Sequence, residues 1–264
     1  MNLYERDYEK PTKKELVAIK KQDEFLKKGI SSPENVDPIE SEDESIRNFV
    51  QHYRTKFPNN VIWPGQLNNI ESEKESKSFE IVLDSSNNEN DIQLYIKSNK
   101  KWFIPGSILK EYNFGHKENY LFPEMMLGSK YKVDYAICGR NSDGYHLLLI
   151  EFENANIPFI NSDGNCESKS VNSGLGQINN WKSWMNNNRQ TFLDESGFSK
   201  KGISIPISRI HYCLVVSRRS YMNDLSRERK NQLIYEGNNL NIINYDRICE
   251  NIKQIDEGYC MRYN

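Results

Sequence analysis

Two apolar runs joined by a short turn, with acids gathered at one end, constrain this chain more than anything else in it. Lys132-Val133-Asp134-Tyr135-Ala136-Ile137-Cys138 leads through Gly139-Arg140-Asn141-Ser142-Asp143-Gly144 into Tyr145-His146-Leu147-Leu148-Leu149-Ile150-Glu151-Phe152-Glu153. Two apolar runs about a short, turn-forming connector predict an antiparallel hairpin. Leu147 to Ile150 has no polar interruption, so the second strand should be covered on both faces. Side chains alternate along a strand, which puts Glu151 and Glu153 on one side. A symmetric turn sets Asp134 opposite the stretch from Leu149 to Glu151, within one or two pairs of the acids. Three carboxylates converging there repel one another unless a cation sits among them. The cluster is therefore a candidate site for a hard, oxygen-seeking ion such as Mg2+, with Mn2+ as its substitute. The competing reading is a solvated strand end, and the apolar flanks count against it.

Downstream, Leu175-Gly176-Gln177-Ile178-Asn179-Asn180-Trp181 reads as a helix in which Gln177 and Trp181 share a face. An apolar strand, Tyr212 to Val216, runs into Ser217-Arg218-Arg219-Ser220. A charged helix around Arg227-Glu228-Arg229 follows, and then Leu240-Asn241-Ile242-Ile243-Asn244-Tyr245-Asp246-Arg247-Ile248. Asp134, a hairpin of this length and Glu151-x-Glu153 resemble the active-site signature of the PD-(D/E)xK nuclease superfamily. With the downstream segments added, the stretch from about Leu121 to Ile252 resembles the nuclease domain of the Shedu anti-phage defence proteins. The first hundred residues resemble no family.

The resemblance implies a restriction-endonuclease-like fold: a mixed sheet on strands 132–138, 145–153, 210–216 and 241–245, with helices near 173–187 and 222–236. It implies a metal-dependent endonuclease that hydrolyses DNA phosphodiesters in antiviral defence, working as a dimer or tetramer. Asp134 and Glu151 would bind Mg2+, with the Phe152 carbonyl as a further ligand. Glu153 occupies the usual lysine's position, as ligand or as general base; some members of the superfamily carry Glu-x-Glu there. The missing lysine also sustains a second reading, a catalytically silent module of the same fold that binds nucleic acid or protein. Glu124, ten residues before Asp134, would complete the metal site; the alternative is a surface acid. Gln177 would orient a water or a phosphate oxygen, while Trp181 and Trp184 pack.

Other candidates rest on residue type alone. Arg218 and Arg219 at a strand end suit phosphate contacts, or equally intramolecular ion pairs. Lys132 shares a face with Asp134 and could supply the absent cation, or reach to solvent. His116, His146 and His211 sit in unrelated contexts with no metal spacing and no nucleophile beside them. The net charge of -2 excludes a generally basic coat, so a DNA site must be a local patch. Cys138, Cys166, Cys213, Cys249 and Cys260 are odd in number and lack Cys-x-x-Cys spacing. Reduced thiols in a soluble cytoplasmic protein are expected, with no apolar run long enough for a membrane.

Four segments are expected. Residues 1–30 form a helix, with a Thr12–Glu15 capping box, Leu16, Ile19 and Leu26 on one face, and Gly29 ending it. It has to pack on another subunit or back on its own domain. Residues 31–44 read as a linker. Residues 45–104 are an α+β region: a helix with Ile46, Phe49, Val50, Tyr53 and Phe57 in register, then a second hairpin from Phe79, Ile81, Leu83 and Ile92, Leu94, Ile96. Residues 105–264 carry the nuclease-like domain.

Overall fold

The computed structural model describes residues 3–28, 37–62, 70–115, 119–164 and 166–255. The chain divides into one unit from Asn2 to Val61 and a second from Ile62 onward. This division departs from the expected segments: the two N-terminal helices share a unit, and everything from 70 to 104 belongs with the sheet.

In the first unit, α1 (Lys13–Lys28) packs against α2 (Glu44–Tyr53). The capping box forms: the Thr12 amide donates to Glu15 Oε2 at 2.5 Å, and the Glu15 amide to Thr12 Oγ1 at 3.4 Å. Ala18 and Ile19 are the residues α1 buries, with Tyr8, Ile39, Phe49 and Val50. Leu16 and Leu26 are 41% and 46% exposed, so the expected apolar face of α1 is corrected. A helix packed on one neighbour buries only a narrow stripe, and here Ala18 and Ile19 occupy it. Gly29 and 31–36 of the expected linker lie outside the described residues; within 37–44, Ile39 is core and Glu44 opens α2.

The second unit is built on a mixed sheet. The strands, adjacent in this order, are β1 (Val61–Ile62, where the division between the units falls), β2 (Asn119–Leu127), β3 (Tyr131–Asn141), β4 (Gly144–Phe152), β5 (Ile210–Val215) and β6 (Leu240–Ile243). β2, β3 and β4 pair antiparallel, whereas β4, β5 and β6 pair parallel. The β3–β4 turn is tighter than expected: Asn141 pairs with Gly144, leaving only Ser142 and Asp143, and Gly144 has φ +120°. Leu147, Leu148, Leu149 and Ile150 have no exposed surface, as a central strand covered on both faces requires.

Residues 72–98 are helical, correcting the expected second hairpin. They form α3 (Ser72–Ser85) and α4 (Glu89–Ser98). Phe79 and Leu83 are buried, as are Ile92 and Ile96, each pair one helical turn apart; Ile81 and Leu94 are 68% and 65% exposed. The alternation in the sequence therefore mixes inward with outward residues. Asn88 caps α4 by accepting from the Asn90 amide at 2.9 Å. α5 (Lys169–Glu195) buries Val171, Gly174, Ile178, Trp181 and Met185 at spacings of three and four. α6 (Asp224–Glu236) and α7 (Tyr245–Lys253) complete the helices around the sheet, and α3 packs on α7 with Ser76 Oγ donating to the Cys249 carbonyl at 3.0 Å. A mixed sheet flanked by helices is the α/β class expected, consistent with a restriction-endonuclease-like fold. Cys138, Cys166, Cys213 and Cys249 are free thiols. Among the described residues no helix is long and apolar enough to cross a membrane.

Because Ile81 faces solvent on α3, Ile81→Lys should change stability by no more than about 0.5 kcal/mol, as exposed sites do. Leu83→Ala should cost about 2–5 kcal/mol in urea unfolding. A strand would place both residues on one face, so equal losses would overturn the helix.

Candidate metal centre

The register of the sheet brings the acids into one row. Tyr135 pairs with Ile150, which sets Asp134 level with Glu151. Pro123 pairs with Tyr135 and Met125 with Val133, which sets Glu124 level with Asp134. Asp134 Oδ2 accepts the Phe152 amide at 2.8 Å, holding the carboxylate against the end of β4. The Glu153 amide extends the ladder to the Val215 carbonyl at 2.8 Å, and the Glu153 carbonyl accepts Tyr245 Oη at 2.6 Å.

α5 supplies what holds the two β4 acids. Ser170 Oγ donates to Glu153 Oε2, Ser173 is a second hydrogen-bond partner of Glu153, and Gln177 bonds the Glu151 side chain. The helix comes this close because Gly174 has no side chain: a Cβ there would lie 2.4 Å from Leu214 Cδ1 and 3.0 Å from Glu153 Cγ. Trp181 packs in the core, as expected. The Trp184 ring lies against Gly128 in the β2–β3 turn.

Glu151 and Glu153 are 5% and 7% exposed, and Asp134 is half-buried. Burial pushes the Glu151 carboxyl far above the usual carboxylate range, and Asp134 and Glu153 add to the rise. Burial also raises Asp134, against the Phe152 amide and the charges of Lys97 and Lys132. Glu153 is raised by burial against its bonds to Ser170 and Ser173. None of the three has an ion-pair partner within 4 Å among the described residues. Nor, among those residues, do three His, Cys, Asp or Glu side chains close into a ready-made ion cage.

Glu124 is differently employed. Its carboxylate pairs with Lys97 at 3.0 Å and Lys132 at 3.1 Å, which hold it below the usual range. Its backbone is left-handed, φ +54°, a strained setting for glutamate within a strand. Lys132 is thus both near Asp134 and paired. Arg218 pairs with Asp84 and Asp246, and Arg219 with Glu250, so intramolecular ion pairs account for both arginines.

Sequence reasoning missed a contribution from α4. The charge of Glu89 bears on Asp134, Glu151 and Glu153 alike. One turn on, Gln93 is buried; its Oε1 accepts Tyr135 Oη at 2.7 Å, while its Nε2 has no partner among the described residues. One turn further is Lys97. The i, i+4, i+8 spacing of Glu89, Gln93 and Lys97 was the available signal, hidden by the strand-like alternation of Ile92, Leu94 and Ile96. The histidines need correction too. His146 Nδ1 lies 3.1 Å from His211 Nε2, because parallel β4 and β5 pair Leu148 with His211. His116 lies outside the described residues.

A helix-flanked mixed sheet whose central strand ends in buried acids is an α/β arrangement consistent with a restriction-endonuclease-like fold. The chain belongs to the Shedu family: the family model described as "Shedu protein SduA, C-terminal" matches residues 86–249, well over half of it. No curated protein matches the chain.

An acid with a raised folded-state pKa binds its proton more tightly when folded, so its contribution to stability falls as pH rises above its ordinary value of 4.5. Glu151→Gln should therefore stabilise the protein in chelator-treated buffer, by a margin that is small near pH 4.5 and widens toward neutral and alkaline pH. Urea unfolding across pH measures this; a margin constant with pH would refute burial of the charge.

Proposed function

We propose that this protein is a metal-dependent DNA endonuclease acting in anti-phage defence. The observation that carries this reading is the row of acids at the end of β4: Asp134, Glu151 and Glu153, pushed toward protonation by burial and without ion-pair partners among the described residues. Such a donor set fits a hard divalent ion, whose ligands are carboxylate and carbonyl oxygens. Asp134 and Glu151 would hold Mg2+ or Mn2+, with the Phe152 carbonyl as a third oxygen; Glu124 is engaged by Lys97 and Lys132, and Glu89 is a further candidate whose charge bears on all three acids. The ion would polarise the phosphodiester and acidify a bound water.

The chain's own residues do the rest. Gln177 orients Glu151. Glu153, raised by burial and fixed by Ser170, suits a general base that takes a proton from the attacking water. Lys97 from α4 and Lys132 from β3 bring positive charge to bear on Asp134, in partial compensation for the lysine absent at position 153. The exposed Leu16, Val17 and Leu26 of α1 support assembly as a homo-oligomer.

A second reading, a silent nuclease-fold module that binds nucleic acid or protein, is favoured by one observation: the described acids form no preformed three-ligand cage.

Cleavage of plasmid and linear DNA with Mg2+ or Mn2+, against a chelator control, separates the two. Asp134→Ala and Glu151→Ala should each abolish metal-dependent cutting while the fold persists. Glu153→Lys should lower the rate by about 10²–10⁴-fold, the range of a general base. A Glu153→Lys variant that cuts where the wild type does not would establish the silent module.

A further inference from the structure

A second charged recess lies where β6, α6 and α7 meet, separated from the β4 acids by the width of β5. It encloses about 240 Å³ and is lined by three cations, Arg219, Lys230 and Arg247, against one carboxylate, Glu111. The arginines are partly neutralised: Arg219 by Glu250, and Arg247 by Glu250 at 3.2 Å and Glu111 at 3.8 Å. Lys230 is not. Among the described residues no carboxylate reaches its ammonium, although Glu111 pulls weakly on it. Burial holds that ammonium below the usual lysine range, and the charges of Arg247 and Arg219 lower it further. A half-buried lysine between two arginines costs stability in the free protein, since desolvation and like charges both oppose it.

We propose that this recess is a binding site for a small phosphate-bearing molecule, with Lys230 as its central ligand. A phosphate oxyanion supplies the missing counter-charge, and guanidinium and ammonium donors around it form the strong, charge-assisted class of hydrogen bond. Size favours a free phosphate compound: about 240 Å³ would admit a phosphate or diphosphate group, whereas a continuous nucleic-acid backbone would have to run across the mouth. The site needs no divalent ion, so it stands or falls apart from the nuclease reading.

The test uses the full chain in chelator-treated buffer, with inorganic pyrophosphate and then ATP as probes, followed by calorimetry and thermal unfolding. Pyrophosphate should bind the wild type and raise its Tm, as a ligand of the native state must. Lys230→Met should weaken that binding at least tenfold and should itself raise the Tm of the unliganded protein. Lys230→Gln provides the same reading if the methionine variant misfolds, and Lys74→Ala, an exposed lysine paired with Glu71 on α3, should respond like the wild type. Tighter binding of ATP than of pyrophosphate would support the site and identify a nucleotide as its occupant. No response to millimolar pyrophosphate in the wild type would overturn the proposal. So would an undiminished response in Lys230→Met, or a loss confined to DNA binding, which would make Lys230 a backbone contact.

Discussion

The register between β3 and β4 is the constraint on which the site depends. Side chains alternate along a strand, so slipping the pairing by one residue would turn Asp134 to the opposite face from Glu151. Two things fix it. The two-residue turn at Ser142-Asp143 sets the pairing from one end, and the Asp134–Phe152 hydrogen bond sets it from the other. The apolar burial that makes β4 the centre of the sheet thereby delivers its acids, poorly solvated, to a single place.

That delivery opposes stability. Folding has to bring Glu151 and Glu153 out of water against mutual repulsion, and the protein offsets this with neutral donors rather than cations. Ser170, Ser173 and Gln177 all come from α5, whose approach depends on the bare backbone of Gly174. Neutral donors satisfy a carboxylate's lone pairs while leaving its charge uncompensated. On the proposed reading, a site built this way would retain an attraction for a cation that an internal salt bridge at the same acids would have cancelled. Lys97 and Lys132 follow the same division, since their nearest carboxylate is Glu124 and Asp134 feels them only at longer range.

What could be read from the sequence follows the range of the interactions involved. The β3–β4 hairpin, the shared face of Glu151 and Glu153 and the helical face of Gln177 and Trp181 are local patterns, and each appears in the structure. The segment from Phe79 to Ile96 is local as well, yet it misleads. Its apolar residues fit a period of two because Ile81 and Leu94 face solvent, and only the packing of α3 on α7 and of Gln93 on Tyr135 reveals which residues are core. The cost of reading α4 as a strand was Glu89 and Lys97. The His146–His211 contact spans 65 residues and arises from parallel pairing, which leaves no mark on either neighbourhood. Arg219, Lys230 and Arg247 are likewise gathered from three elements that only the sheet makes adjacent.

Glu153 shows how the proposed chemistry accommodates a departure from the usual motif. A lysine at this position would place its ammonium near Asp134 and Glu151 and neutralise part of their repulsion within the strand itself. Glutamate instead adds to that repulsion, and Asp134 and Glu153 both raise Glu151. The compensation is distributed: two serines and a glutamine from α5 bond the β4 acids, Tyr245 from α7 anchors the Glu153 carbonyl, and α4 and β3 contribute the lysines. A role concentrated in one side chain in the common motif is here shared among at least four elements. Replacing Glu153 by lysine would therefore do more than restore a motif. It would set an ammonium against Ser170 and Ser173, whose hydroxyls now donate to a carboxylate and would have to turn and accept instead. The surroundings of Glu153 have been built for an anion, and the proposed general-base role draws on that fit.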